Sequence, residues 1–103
     1  MQVDRRLIES NLPKKGFVED NKSHKYYYHE YKGKRTGIYT FTSHGSSYKT
    51  YGDSLIRSMK KQLKLDSSKQ AVDLFQCPLS GEEYNIILRN KGFITDSETN
   101  IRK

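Results

Sequence analysis

The chain is predicted to be an α+β domain in which a helix, a three-stranded antiparallel sheet and a second helix are followed by a two-helix extension. Two aromatic, β-prone runs over 24–31 and 35–43 flank the turn residues Lys32-Gly33-Lys34, which predicts a hairpin. Apolar residues recur at helical spacing before and after residue 66. Helices packed on one face of such a sheet form an α+β domain, and 103 residues suit a single one.

The first predicted elements are a short helix and a short strand. Asp4 is a suitable N-cap for a helix that carries Leu7 and Ile8. Pro13 disfavours helical geometry in the residue before it, and Gly16 suits the left-handed conformation that ends such a segment. A strand or an extended entry is predicted to start at Phe17-Val18, and the polar residues 19–23 are predicted to form a turn.

The register of the hairpin is left open by the sequence. A three-residue loop, 32–34, places His24 and His44 on the same face of the sheet. A two-residue loop, 33–34, places them on opposite faces, because a slip of one residue reverses every side chain. The second register also groups four rings on one face, which we expect to be the better core: Tyr26, Tyr28, Tyr39 and Phe41.

Three helices are predicted after the hairpin. The first spans about 53–65, with apolar residues on one side and four cations on the other, Arg57, Lys60, Lys61 and Lys64. Asp66 or Ser67 is expected to cap the next helix, and the capping-box pattern of residues 80–83 opens the last. We therefore divide the chain into a domain (1–65), a helical extension packed on the domain or on a second copy (66–94) and a flexible tail (95–103).

The charge of the chain favours a polyanionic partner. The net charge is +7, and residues 1–65 hold 14 Lys/Arg against 6 Asp/Glu, whereas residues 66–103 carry a net charge of −1. Such a field attracts phosphates, so RNA is the expected partner. No apolar stretch suits a membrane span or a signal peptide, and Cys77 is the only cysteine. A cytoplasmic protein without a membrane partner is expected.

Short motifs in residues 4–65 resemble a known family. Gly16-Phe17, Ser23-His24-Lys25, His44-Gly45 and the Leu-rich basic helix at 53–65 are similar to segments of HicA-type toxins. These toxins are small mRNA interferases with an α-β-β-β-α fold like that of double-stranded-RNA-binding domains. The resemblance implies that fold, ribonuclease activity and an antitoxin partner, with His24 as the catalytic histidine. It also matches His44 to a histidine commonly found where the third strand ends, so His44 is a candidate for the partner acid, with a turn residue as the alternative.

The chemistry expected at His24 needs no cofactor. An imidazole exchanges protons near neutral pH, so it can remove the proton of a ribose 2′-hydroxyl. Lys22 and Lys25, which stand where the family usually has a glycine and a second histidine, could stabilise the phosphorane. The spacing of the three histidines fits no zinc motif. The other cations that we expect to contact RNA are Lys34, Arg35, Lys49, Lys60, Lys61 and Lys64.

The tyrosines are candidates for base stacking, although strand alternation lets no more than three or four face a ligand. They are Tyr26, Tyr27, Tyr28, Tyr31, Tyr39, Tyr48 and Tyr51. His29 is expected to be structural or on the surface. Two alternatives to an RNA-cleaving toxin stay open: a non-catalytic module that binds RNA or protein through the sheet, and a regulatory protein with an acidic partner. A homodimer is compatible with each of them.

Overall fold

The computed structural model describes residues 2–43, 49–76 and 78–95. Within these residues, four α-helices and one 3₁₀ helix accompany two antiparallel sheets, which confirms the α+β class and the three-stranded sheet. The elements are β1 (Val3–Asp4), α1 (Arg5–Asn11), the 3₁₀ helix (Leu12–Lys15), β2 (Phe17–Asn21), β3 (Lys25–Tyr31), β4 (Lys34–Thr42), β5 (Thr50–Tyr51), α2 (Asp53–Gln62), α3 (Ser68–Phe75) and α4 (Gly81–Asn90). The larger sheet has the order β2-β3-β4, and β1 pairs with β5.

The first helix begins as predicted. The expectation that Leu12, before Pro13, is not helical is wrong, because Leu12 has φ −57° and ψ −41° and begins a 3₁₀ helix. The Asp4 carboxylate accepts a hydrogen bond from the backbone N–H of Arg6 at 2.8 Å, which satisfies one of the free donors at the helix start. Gly16 has a φ of 97°, the left-handed conformation expected of it. The 3₁₀ helix between them, with Pro13 in its first turn, was not predicted. It carries the chain into β2.

The hairpin loop differs from both predicted loops. Tyr31 pairs with Lys34, so the loop consists of Lys32 and Gly33 alone. Their φ values are 54° and 82°, and positive φ at both central residues is the requirement of a type I′ turn. Both predicted loops are therefore wrong. The predicted turn at 19–23 is also too long, because β2 continues to Asn21.

A bulge in β4 restores part of the second predicted register. Between two pairs, Tyr28 with Tyr39 and Glu30 with Arg35, β3 contributes one residue and β4 contributes three. Gly37, in the middle of these three, has a φ of 89°, which residues with a side chain rarely adopt. Beyond the bulge, the pairing is the one that groups the four rings on one face.

The other face of the sheet is covered by helices, and we call it the closed face. Its side chains are buried: Phe17, Tyr27, His29, Ile38, Thr40 and Thr42. The Thr40 hydroxyl donates to the Gln62 side chain of α2 at 2.6 Å, and the Thr42 hydroxyl donates to Glu9 of α1 at 2.7 Å. Buried threonines are thus paired with polar groups of the covering helices, as burial requires.

The C-terminal helices belong to the same hydrophobic core as the sheet. Phe75, Tyr84 and Leu88 are fully buried in one cluster with Ile8 and Tyr27. Full burial of each such side chain contributes about 1.5–3 kcal/mol to the stability of the folded protein. Ser67 rather than Asp66 caps α3, and the capping box predicted at Ser80 is present. The treatment of 66–94 as a unit separate from 1–65 stays a prediction.

Two polar side chains of the N-terminal segment hold the start of the C-terminal segment. The Asn11 amide donates to the carbonyl of Phe75 at 2.8 Å. The ammonium group of Lys15 is buried and donates to the carbonyls of Leu74, at 2.9 Å, and Leu79.

In the described ranges, no helix is both long and apolar enough to cross a membrane.

Candidate nucleic-acid interface

The face of the sheet opposite the helices carries a layer of aromatic rings, and we call it the open face. Alternation along the strands directs five apolar side chains to this face: Val18, Tyr26, Tyr28, Tyr39 and Phe41. Tyr39 is 45% exposed and Val18 is 43% exposed. The expectation that the four rings form the core is therefore wrong, because the helices cover the other face.

The four rings lie side by side in one layer. The ring centroids of Tyr26 and Tyr28 are 5.9 Å apart, and those of Tyr28 and Tyr39 are 5.7 Å apart. Phe41 lies 5.6 Å from Tyr26, which closes the group. Centroid distances of about 4.5–7 Å are those at which rings attract one another. Mutual contact therefore holds the rings in place while part of their surface remains accessible.

Arg35 lies on the open face near the hairpin end. Its guanidinium carbon is 4.1 Å from the centroid of the Tyr28 ring, a close cation–π contact. Arg35 is an exposed residue, and Lys34 precedes it at the start of β4. A planar guanidinium on a ring can stack on a base and donate to a phosphate at the same time.

His24 lies at the opposite end of the open face. Its ring centroid is 5.2 Å from that of Phe41, with 30° between the planes, and 6.2 Å from that of Tyr26. Within the part of the chain that the structure describes, the buried Nδ1 atom of His24 has no hydrogen-bond partner. The imidazole thus extends the layer of rings at this end.

The lysines on either side of His24 point to different partners. Lys25 pairs across the sheet with buried Thr42, and its ammonium nitrogen is 3.6 Å from a carboxylate oxygen of Glu9 in α1. This places the charge of Lys25 on the closed face of the sheet. The Lys22 ammonium lies 3.5 Å from the Asp20 carboxylate, and the Lys22 side chain is 59% exposed. Of the two, Lys22 has the more accessible charge.

The remaining predicted cations lie on other elements. Lys49 borders a cleft with Asp4, Arg5 and Arg6, and the Lys49 carbonyl accepts a hydrogen bond from the N–H of Arg5. Lys60 and Lys61 belong to the last turn of α2. The Lys64 ammonium lies 5.9 Å from the ring of Phe93. His44 lies outside the described residues, as does Tyr48. Among the predicted histidines and cations that the structure describes, His24 and Arg35 are the two that contact the ring layer.

A groove runs between the end of β4 and α2, beside the ring layer. Its volume is about 210 Å³, and its described lining is Phe41, Ser43, Tyr51, Leu55, Ser58, Met59 and Gln62. The sequence does not reveal this groove, because helical spacing alone does not show which apolar residues of α2, such as Leu55 and Met59, border an opening. Leu55 is in fact 37% exposed.

His29 supports the fold from the closed face. One ring nitrogen lies 2.9 Å from the Thr36 hydroxyl and the other lies 2.9 Å from the Asn85 side-chain oxygen. The ring packs between Phe17, at 5.1 Å, and Tyr84, at 5.2 Å. Burial lowers the pKa of His29, while the Asn85 hydrogen bond and the charge of Glu30 oppose this shift. His29 is therefore a neutral, structural residue at neutral pH.

Comparison with family models, with curated proteins and with solved structures finds no match for this chain. Function is therefore argued from the site alone. In the described ranges, no group of three or more His, Cys, Asp or Glu side chains is arranged to hold a metal ion. The open face instead offers stacking surface, one guanidinium and one imidazole.

Proposed function

We propose that this protein binds single-stranded RNA on the open face of its sheet. The observation that carries the proposal is the layer of four mutually packed, partly accessible rings, with His24 at one end and Arg35 at the other. Unpaired bases stack on aromatic side chains whatever their sequence, because every base has a π face. An exposed aromatic layer on a sheet is costly in water, so a ligand that covers it is expected.

The cations around the open face suit the backbone of such a strand. Lys22 lies at one end of the sheet, whereas Lys34 and Arg35 lie at the other. A strand that runs between the two ends would stack about two or three bases, as on other RNA-binding sheets, and place phosphates near both groups. The excess of positive charge in residues 1–65 would also speed association.

The proposal is tested by titrating a labelled single-stranded RNA with the protein and with two matched variants. Tyr39→Ala removes a ring that is 45% exposed on the open face, and Phe93→Ala removes one that is 46% exposed elsewhere. We expect Tyr39→Ala to lower the affinity about 5- to 150-fold, the contribution of one base–ring stack, and Phe93→Ala to leave it unchanged.

Salt dependence provides the second part of the test. Each phosphate contact should add about −0.7 to the slope of log affinity against log salt. Arg35→Gln should make this slope less steep by about 0.7, the contribution of one phosphate contact. Absence of RNA binding at low salt, or equal losses in Tyr39→Ala and Phe93→Ala, would contradict the proposal.

A second candidate function, an endoribonuclease of the HicA-like group with an antitoxin partner, is favoured by the position of His24. An RNA strand on the ring layer would pass the imidazole beside Phe41. The imidazole would remove the proton of a 2′-hydroxyl, and that oxygen would attack the adjacent phosphorus. The bond to the 5′-oxygen would then break, which leaves a 2′,3′-cyclic phosphate and, after proton return, a 5′-hydroxyl.

The test of the second candidate is RNA cleavage by the purified protein in EDTA, with analysis of the end groups. We expect His24→Ala to slow cleavage by about two to four orders of magnitude, the usual effect of one acid–base group, with a much smaller loss of RNA affinity from the missing ring. Lys22→Ala is the comparison for a charge effect alone. A protein that binds RNA but never cuts a varied RNA pool, with or without added metal, would eliminate the nuclease and leave the binding module.

A further inference from the structure

The groove between β4 and α2 continues the open face through one shared residue. Phe41 packs against His24 and Tyr26 in the ring layer, and it also forms a wall of the groove. Leu55 and Met59 of α2 form the apolar part of the opposite wall. A planar ring that enters the groove would therefore lie between an aromatic ring and aliphatic side chains.

The groove also contains polar groups with unused hydrogen-bonding capacity. Within the described residues, the Ser43 hydroxyl oxygen is buried and has no partner, although the N–H of the same residue donates to the Tyr51 hydroxyl at 3.1 Å. The side-chain oxygen of Gln62 accepts from Thr40, which leaves its two N–H donors for a ligand. A buried hydroxyl without a partner is unfavourable, and a ligand with polar edges would remove this cost.

The size of the groove limits its occupant. Pockets for drug-sized molecules measure about 300–1,000 Å³, whereas this groove measures about 210 Å³. One small ring system fits, and a peptide helix does not. Nucleobases combine a flat apolar face with hydrogen-bonding edges, and pockets that take an unstacked base read it by these two features.

We propose that the groove takes one base of the RNA strand that lies on the open face, and that it is the part of the site that distinguishes between bases. The inference rests on the proposed RNA binding, because continuity with the ring layer is what brings the strand to the groove. The ring layer then supplies affinity without base preference, and the groove supplies preference at one position, beside His24.

The NMR signal of the Met59 methyl group reports whether the groove is occupied. The chain has two methionines, so protein labelled with ¹³C at the methionine methyl groups gives two signals, and Met59→Leu assigns them. The four nucleoside 5′-monophosphates are added one at a time. We expect the Met59 signal to shift with increasing concentration, with an affinity that differs between the four, because a base beside Phe41 changes the ring field at Met59.

A matched pair of variants tests base preference in RNA. Ser58→Tyr fills the groove from an exposed position on α2, and Ser54→Tyr places the same side chain on the same helix, outside the described lining. Single-stranded RNAs that differ at one base are compared with an RNA that lacks that base. We expect about a tenfold preference in the wild type and in Ser54→Tyr, which is within the range of hydrogen-bonded base readout, and none in Ser58→Tyr.

The outcomes separate this inference from the proposed function. If RNA binds but no nucleotide or RNA shifts the Met59 signal, or if Ser58→Tyr keeps the base preference, the groove is not a base site and RNA binding stands. A Met59 shift that follows protein concentration instead would identify a second copy as the occupant and would overturn the inference. If no RNA binds at all, the proposed function and this inference fail together.

Discussion

The two faces of the three-stranded sheet both carry aromatic rings, but they differ in what surrounds them. On the closed face, Tyr27 and His29 are fully buried under helices. On the open face, Tyr39 remains 45% exposed although it packs against other rings. The comparison shows that aromatic content does not distinguish a core from a binding surface. The helices that cover one face, and the polar partners they offer, make that distinction.

Hydrogen-bond partners for side chains of the sheet occur mainly on the closed face. Thr40 and Thr42 donate to helix side chains, and His29 is bonded at both ring nitrogens. The open face has rings in contact with rings and a guanidinium on Tyr28. We therefore expect substitutions on the closed face to change mainly stability, and substitutions on the open face to change mainly binding.

The largest difference is expected between two alanine substitutions of tyrosine. Tyr27→Ala leaves a cavity in the core and should lower the free energy of unfolding by about 3–5 kcal/mol. Tyr39→Ala should lower it by less than about 1 kcal/mol, because the ring is half exposed. Urea unfolding monitored by circular dichroism measures both values. Similar losses in the two variants would show that the open face is part of the core.

Removal of a single hydroxyl group gives a smaller contrast. The Tyr84 hydroxyl donates to the carbonyl of Leu63 at 2.8 Å in a buried position. Tyr84→Phe should therefore lower the free energy of unfolding by about 1–3 kcal/mol, since the Leu63 carbonyl loses its hydrogen-bond donor. Tyr28→Phe on the open face should cost less than about 0.5 kcal/mol. A Tyr84→Phe protein as stable as the wild type in the same urea titration would contradict the assignment of this bond.

The pH dependence of stability reports on His29. Burial lowers its pKa in the folded state below 6.5, so the unfolded chain binds more protons between these two values. Stability from neutral His29 is therefore complete above pH 6.5 and is lost as the pH falls towards the folded-state pKa. The slope contributed by this residue is at most about 1.4 kcal/mol per pH unit.

The control for this measurement is His29→Gln, which keeps a polar side chain but cannot titrate. Other groups titrate alike in both proteins, so the difference between the two slopes belongs to His29. Unfolding free energies measured at several pH values from 7.5 to 5 should show the steeper loss only in the wild type. Parallel curves would mean that His29 has the same pKa in the folded and the unfolded protein, as an accessible side chain would.

The smallest effect on stability is expected at Arg35. Its contact with the Tyr28 ring is exposed, and such cation–π contacts contribute about 0.5–1 kcal/mol. Arg35→Gln should therefore lower the melting temperature only slightly, while it weakens RNA binding at low salt. A large loss of stability in Arg35→Gln would show that this residue organises the fold and would remove the contrast between the faces.

Local signals in the sequence predicted local structure well. Asp4 and Ser80 begin helices because their side chains satisfy backbone donors, and Gly16 adopts the left-handed conformation that suits glycine. Each of these depends on a few neighbouring residues. The bulge at Gly37 also has a local signal, because an isolated glycine within a strand often marks a bulge.

The covered face of the sheet was not predictable in the same way. Alternation separates Tyr26 and Tyr28 from Tyr27, but both sets are aromatic, so the pattern does not say which faces the helices. That choice depends on partners distant in sequence, such as Glu9 for Thr42 and Asn85 for His29. His24 was predicted as a site residue, whereas its contact with Phe41 and the groove beyond depend on the register and on α2.

The most direct test of RNA binding on the open face is an NMR map of the residues that respond to RNA. Backbone and aromatic signals are followed while a short single-stranded RNA is added. We predict that the largest shifts occur at Tyr26, Tyr28, Tyr39 and Phe41, with His24 and Arg35, and that the buried Tyr27 and Tyr84 change little. Shifts confined to α2, with the four rings unchanged, would contradict the account.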